Sequence, residues 1–303
     1  MLYPFHCAVC GATGGETVFH CVDHSVTKET FDIVQCTTCY YAQTVPQPDE
    51  HTIGKYYETS DYISHSETHS GIVNKLYLLI RQFNVRKKLH LIHRMAHHCE
   101  TLLDVGCGTG FFLSCCKTHG WRVTGVEQSA IARKKAEERI NASVYPSIDA
   151  ISMTEERFDV ITLWHVFEHL HDINKSFEQL KSMLNPHGVL VFALPNLCSK
   201  DAKTYGNDWA GFDVPRHLSH FSPQSIRLLT EKHGMTVKKI IPMKFDAYYI
   251  SMLSEQIRKK GGIASFLKGA YRGVASNMSA KKTGNYSSLI YIIEQTPNRA
   301  NAS

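Results

Sequence analysis

The chain has 303 residues, 43% hydrophobic and 20% charged, an ordinary balance for one large globular domain or two with a sizeable core. Its formal charge of +5 is modest and the basic residues are scattered until the last third, so no nucleic-acid partner is expected. No run of 18 apolar residues occurs, and no basic flank followed by an apolar stretch opens the chain; neither a membrane span nor a signal peptide is expected, and the reading is cytoplasmic.

Ten cysteines in a chain of this length without a signal peptide are expected to stay reduced, so their grouping matters more than their number. Cys7-x2-Cys10 and Cys36-x2-Cys39 are two pairs separated by 25 residues. Four thiolates so spaced suit one tetrahedral structural Zn2+, each sulfur about 2.3 Å from the metal. The alternating segments Thr17–Val22 and Phe31–Gln35 between them predict short strands, so residues 1–48 read as a zinc ribbon. The competing reading is a set of buried or redox cysteines. His6, His20, Cys21 and His24 lie nearby in sequence, but four cysteines already complete a closed site with no open position for catalysis. Cys99, Cys107, Cys115, Cys116 and Cys198 have no paired spacing and read as small core residues.

Thr44 to Asp49, with two prolines, predicts the exit from the ribbon. An aromatic, polar stretch holding Tyr56, Tyr57, Asp61 and Tyr62 follows. Leu76 to His98 then predicts a helix with Leu76, Leu79, Ile80, Phe83, Leu89, Ile92 and Met95 on its apolar stripe. Residues 49–100 are therefore a linker and a leading helix.

From residue 101 the pattern alternates strand and helix, which implies a parallel sheet covered by helices. Thr101–Val105 is a strand, Gly106-Cys107-Gly108-Thr109-Gly110 a turn, and Phe111 begins a helix. Glycines on alternate positions let the backbone turn sharply and offer its amides to a ligand at a helix N-terminus. Trp121–Val126 is a second strand, and Glu127 at its carboxyl end can accept hydrogen bonds from both hydroxyls of a ribose. A dinucleotide fingerprint G-x-G-x-x-G needs a glycine where Phe111 stands. Further strands are predicted at Ala142–Tyr145, Phe158–Trp164 and Val189–Asn196, with helices at Ala130–Arg139 and Asp172–Leu184.

The D-x-G-x-G-x-G pattern from Asp104 to Gly110, the acidic Glu127 and the segment His165-Val166-Phe167-Glu168-His169-Leu170 resemble the class I S-adenosylmethionine-dependent methyltransferases, particularly their ubiquinone-biosynthesis-like branch. The resemblance implies a Rossmann-like α/β fold with a seven-stranded, mostly parallel sheet and helices on both faces, over residues 101–303. It also implies that Asp104, Gly106, Gly108, Gly110, Glu127 and His165 bind the cofactor, the loop backing its methionine part and Glu127 its ribose. Ligands of such sheets sit at the carboxyl ends of the strands, so Glu127, His165 and Asn196 are expected on one rim. A helix is predicted from Ser222-Pro223 to Lys232, and the sixth and seventh strands at Met235–Met243 and Tyr286–Glu294. In the family the piece between these two strands carries substrate-recognition insertions; here residues 245–282 predict a helical lid. It is basic, with Arg258, Lys259, Lys260, Lys268, Arg272, Lys281 and Lys282, and a solvated face is favoured over contact with a membrane surface or an acidic substrate.

The expected function is methyl transfer from S-adenosylmethionine to a small-molecule acceptor whose nucleophile is an oxygen, nitrogen or carbon. His217 is the expected general base, since imidazole accepts a proton near neutral pH, with Asp213, Arg216 and His220 arranging the loop from Trp209 to Phe221. His165 and Tyr205 are the other candidates. His217 could instead be a packing residue, Arg216 pairing with Asp213, and His169 is expected to be structural. Two other classes remain open at this point: an NAD-dependent oxidoreductase on a related fold, and a zinc-ribbon nucleic-acid-binding protein.

Overall fold

The structure is a computed structural model, and it describes residues 5–57, 72–95, 100–259 and 262–296. In chain order the regular elements are β1 (Gly15–Val22), β2 (Thr30–Cys36), β3 (Ala42–Val45), α1 (Ile72–Met95), β4 (Thr101–Val105), α2 (Phe111–Thr118), β5 (Arg122–Val126) and α3 (Ala130–Ile140). There follow β6 (Val144–Tyr145), α4 (Ile148–Ser152), β7 (Phe158–Trp164), α5 (Ile173–Ser182), β8 (Leu184–Pro195) and α6 (Lys200–Tyr205). The last are β9 (Ser219–His220), α7 (Pro223–Lys232), β10 (Met235–Pro242), α8 (Asp246–Lys259), α9 (Ile263–Thr283) and β11 (Ser288–Gln295).

Seven strands form one sheet in the order β10-β11-β8-β7-β4-β5-β6. It is mostly parallel, β4 pairing in parallel with both β5 and β7 and β5 with β6. Central parallel strands are buried on both faces, which is why Leu102, Leu103, Val160, Ile161 and Leu163 are all fully excluded from water. Four short strands form a second sheet in the order β1-β2-β3-β9, all pairs antiparallel.

By its contacts the chain divides into two units. One comprises Met1–Tyr62, His165–Asn174 and Ala193–Ile292. In it the ribbon shares a core with later parts of the chain, because Cys21, Phe31, Ile33 and Ala42 pack in one cluster with Tyr205, Trp209, Phe212 and Ile250. A segment too small to bury its own core gains one this way, in addition to any metal. The β9 strand, which the sequence presented only as part of a loop, pairs Ser219 with Gln43 and His220 with Ala42. The expected exit from the ribbon at Thr44 and Val45 is thus the end of a third strand. In α8 and α9, which pack on each other, Arg258 donates to Asp208 at 2.9 Å, while Lys268 and Arg272 pair with the buried Glu255 at 3.4 and 3.2 Å. Three of the seven basic residues of the lid are therefore held by carboxylates of the same unit.

The other unit comprises Ile63–Trp164, Lys175–Phe192 and Ile293–Ser303. Its leading helix is α1, of which Leu89 and Ile92 are buried as expected while Phe83 is half exposed. Positions 96–98 of the expected helix, Cys99, and Asp61 and Tyr62 lie outside the described residues. Asp159 anchors the start of β4 by accepting from the Thr101 hydroxyl and from the amides of Glu100 and Thr101, at 2.8 to 3.0 Å.

Candidate active site

The glycine loop stands where the sequence predicts it, between β4 and α2. Gly106, Gly108 and Gly110 all have positive φ, at 72°, 55° and 76°. A Cβ on Gly110 would also lie 3.0 Å from the Cα of Ala136, so α3 leaves no room for a side chain there. Glu127 follows β5, and both of its oxygens face amides: Gly108 N–H donates to Oε2 and Ser129 N–H to Oε1, each at 2.9 Å. Ser129 caps α3 by accepting from Ala132. Glu127 therefore braces the loop as well as offering acceptor capacity to a ligand, and each carboxylate oxygen keeps a second lone pair.

Asp104 is buried near the carboxyl end of β4 and accepts from the Thr162 hydroxyl at 2.6 Å. Burial pushes its carboxyl up to about 7 against the opposing bond from Thr162 and the charge of Lys88. Lys88 sits 4.4 Å above the ring of Trp164, and the buried Trp164 Nε1–H has no hydrogen-bond partner. An unpartnered buried donor, a loop held at positive φ by three glycines and a carboxylate at a strand end fit a polar ligand such as a nucleoside with an amino-acid tail. The Arg139 guanidinium lies 3.6 Å over the ring of Phe111, which fills the position where a dinucleotide fingerprint needs its third glycine.

In the other unit, His165, Glu168, His169, His217 and His220 come together. His165 follows β7 with a φ of 58°, an unusual conformation for a non-glycine residue. Its Nδ1 is 3.5 Å from Glu168 Oε1 and its Nε2 is 3.2 Å from Asp246 Oδ2. Burial works against its charge, but the bonds to Asp246 and Glu168 outweigh it and raise the imidazole to about 9. Glu168 is only 1% exposed, and neither carboxylate oxygen has a partner at hydrogen-bonding geometry. The 3.5 Å approach of His165 is an ion pair too long to be a good hydrogen bond. Although burial disfavours its charge, His165 and the imidazoles of His217 and His169 hold Glu168 down to about 2.

His217 lies with its Nδ1 3.0 Å from the Gly211 carbonyl, so Nδ1 carries a hydrogen, and in the neutral ring the lone pair is at Nε2, 3.9 Å from Glu168 Oε1. His169 has Nδ1 at 2.9 Å from the Arg216 carbonyl, which fixes the same tautomer. Burial lowers His169 to about 4 and His220 to about 3. His220 Nε2 is bonded to the Thr44 hydroxyl at 2.9 Å, and that hydroxyl donates to the His217 carbonyl at 2.6 Å.

Arg216 is the hub of the loop. Its Nε is 3.0 Å from both oxygens of Asp213, its guanidinium reaches Asp23 Oδ1 at 3.2 Å, and it donates to the Tyr56 carbonyl at 2.9 Å. Tyr205 and Asn196 are both buried: the Tyr205 hydroxyl donates to the Ser251 carbonyl and Glu255 at 3.2 Å, and Asn196 donates to Tyr286. Sequence reasoning missed Glu168 as a buried, unpartnered carboxylate, and Trp164. The signal for the first was an acid inside an apolar run between two histidines.

The four ribbon cysteines also converge. Cys7, Cys10, Cys36 and Cys39 place their sulfurs within 4.8 Å of one another, Cys7 to Cys39 at 3.4 Å and Cys10 to Cys36 at 3.6 Å. The neighbouring Cys39 thiol brings Cys7 down to about 5. Cys21 lies in the core, and burial pushes it up to about 12, as for an apolar thiol.

A family profile described as "Methyltransferase domain" matches residues 78–240, more than half of the 303. The chain belongs to this methyltransferase family. Membership favours neither the nicotinamide-dependent nor the nucleic-acid reading. Among curated relatives, malonyl-[acyl-carrier protein] O-methyltransferase of Serratia marcescens is 28% identical over 130 residues, 42% of this chain and 50% of that protein. Ubiquinone biosynthesis O-methyltransferase of Coxiella burnetii is 32% identical over 101 residues, 31% of this chain and 43% of that protein. The chain thus spans about half the length of the curated relatives it matches. Of solved structures, magnesium protoporphyrin IX methyltransferase from Synechocystis PCC 6803, with bound SAH, superposes with a TM-score of 0.52 at 12% identity, over 82% of this chain and all of that one. StiE O-MT residues 961-1257 gives 0.50 at 11% identity, over 77% and 79%. These two likenesses show the fold, a class I methyltransferase sheet. Among the described residues no helix is long and apolar enough to cross a membrane.

Proposed function

We propose that the protein transfers a methyl group from S-adenosylmethionine to a small-molecule acceptor. The observation that supports this most is the clamp of Glu127 on Gly108 beneath a loop with three positive-φ glycines, within a chain of the methyltransferase family. Asp104, Gly106, Gly108, Gly110 and Glu127 hold the cofactor: the glycine loop backs the amino-acid tail beside Asp104, its amides at Gly106, Cys107, Gly108 and Gly110 being engaged within the protein, and Glu127 takes the ribose hydroxyls through its remaining lone pairs. When bound, S-adenosylmethionine supplies an electrophilic methyl on a sulfonium, which an aligned nucleophile attacks in line.

The acceptor must lose a proton as its new bond to the methyl carbon forms. His217 takes that proton at Nε2, where its lone pair is left free by the bond from Nδ1 to Gly211. Glu168, 3.9 Å away and ionised, stabilises the imidazolium that results. His165 is already charged at neutral pH, so it holds Glu168 and Asp246 in place instead of serving as base. Its positive φ is strain of the kind retained where geometry matters. His220 is a positioning residue, fixing Thr44 against the His217 carbonyl. The O-methyltransferase relatives make an oxygen nucleophile the first class of acceptor to test. One structural Zn2+ is held by Cys7, Cys10, Cys36 and Cys39, whose spacing matches the roughly 3.8 Å between sulfurs of a tetrahedral site.

Incubation of the protein with methyl-labelled S-adenosylmethionine and a small-molecule extract tests the activity. Label is expected in a product below the size of a protein, and to fall with Glu127→Ala at subsaturating cofactor. Label appearing only in RNA or protein would overturn the acceptor class.

A further inference from the structure

Two imidazoles and one carboxylate meet in this protein apart from the four cysteines of the ribbon. Glu168, His169 and His217 each bring one potential ligand atom within 4.8 Å of the others. Two atoms each about 2.1 Å from one ion can be at most about 4.2 Å apart, so the 3.9 Å between His217 Nε2 and Glu168 Oε1 already suits a shared ion.

Three features of the cluster go beyond proximity. First, Glu168 is 99% buried, yet neither oxygen has a hydrogen-bonding partner, a costly state for a carboxylate that a cation would relieve. Second, both histidines face backbone carbonyls with Nδ1, His169 with Arg216 and His217 with Gly211. Metal-ligating histidines usually donate their other ring N–H in this way, which fixes the tautomer and strengthens the ligand nitrogen. Third, Asp213 acts electrostatically on both imidazoles, adding negative field to that of Glu168. Opposing them is the charged His165, which shares Glu168 Oε1 at 3.5 Å but leaves Oε2 open. His169 is partly exposed and gives an ion its way in.

We infer that Glu168, His169 and His217 form a binding site for one divalent transition-metal ion, held by the carboxylate and one ring nitrogen of each imidazole. Nitrogen and oxygen donors in this ratio suit iron, cobalt, nickel, manganese or zinc and disfavour calcium and magnesium. Three protein ligands leave open positions. On the methyl-transfer reading, an acceptor hydroxyl could fill one of them. With the ion bound, His217 is a ligand and the base role given to it above belongs to the metal-free site; coordination acidifies the hydroxyl, which releases its proton to solvent water.

The test is titration of the full-length protein, its thiolate site filled with zinc, with Co2+ alone, followed by visible absorption. One further Co2+ per chain is expected, with weak ligand-field bands and without the intense thiolate charge-transfer bands that exchange into the ribbon would give. Glu168→Gln and His217→Ala are each expected to weaken that binding at least tenfold, and His169→Gln, at a partly exposed position, repeats the test if either variant fails to fold. S-adenosylmethionine affinity, measured on the same samples, reports the cofactor half of the protein separately. Absence of saturable Co2+ binding outside the ribbon, or wild-type affinity in the folded variants, would overturn the inference.

Discussion

Glu127 and Gly108 are joined by a 2.9 Å hydrogen bond from the loop amide to Oε2, so one carboxylate both shapes the glycine turn and faces the ligand that the turn would cradle. Glu127→Ala is expected to weaken S-adenosylmethionine binding by about 1.5–3 kcal/mol, roughly ten- to a hundredfold, because charge-assisted bonds are lost at once on both sides. Glu127→Gln keeps one acceptor and should fall between. Calorimetry of both variants, with thermal melts to separate loop loosening from unfolding, checks the order.

Arg216 is expected to be a stability residue first. Its replacement by Met leaves Asp23, fully buried, without its cation, and breaking a buried pair from one side costs about 3–5 kcal/mol. Asp23 keeps amide bonds from Ser25, Val26 and Thr27, which places the expected loss at the lower end. Urea unfolding of Arg216→Met against wild type measures it; an unchanged midpoint would mean that the guanidinium only decorates the loop.

The histidine cluster sets opposite pH slopes. His169 and His220 are lowered to about 4 and 3, so below about 6.5 the unfolded chain binds protons that the native state refuses, and stability falls as pH drops toward those values. His165 is raised to about 9; its contribution is complete below about 6.5 and disappears as pH rises to 9. Together they place the cluster's best stability near pH 6.5. His220→Gln should flatten the acid limb of a plot of unfolding free energy against pH and leave the alkaline limb alone.

Removal of the ribbon metal should act through folding. About one zinc per chain is expected by elemental analysis, and Cys36→Ser should lower both the zinc content and the melting temperature. Full zinc content in that variant would contradict the four-cysteine ligand set.

Much of the parallel sheet was legible because its strands are short, continuous apolar runs: β4 and β7 begin and end where their residues suggest. The Ser222-Pro223 signal likewise marks a capping box with proline in the first turn of α7. What escaped was either short or non-local. The α4 helix has five residues, too few to show a period, and β8 starts at Leu184, running through Asn185-Pro186-His187-Gly188 before the Val189 at which the sequence predicts its start. The pairing of β3 with β9 joins residues about 180 apart and cannot be read from either alone. Within the site, the glycine loop and Glu127 carry their chemistry in local spacing. Glu168 does not, because its isolation arises from which groups the fold fails to bring to it.

The most direct measurement is a calorimetric titration of the intact protein with S-adenosylmethionine, alongside one with NAD. Saturable binding of one S-adenosylmethionine per chain, weakened by Glu127→Ala, with no heat from NAD, is the expected result. Binding of NAD with none of S-adenosylmethionine would contradict the assignment of the cradle and of the methyl transfer built on it.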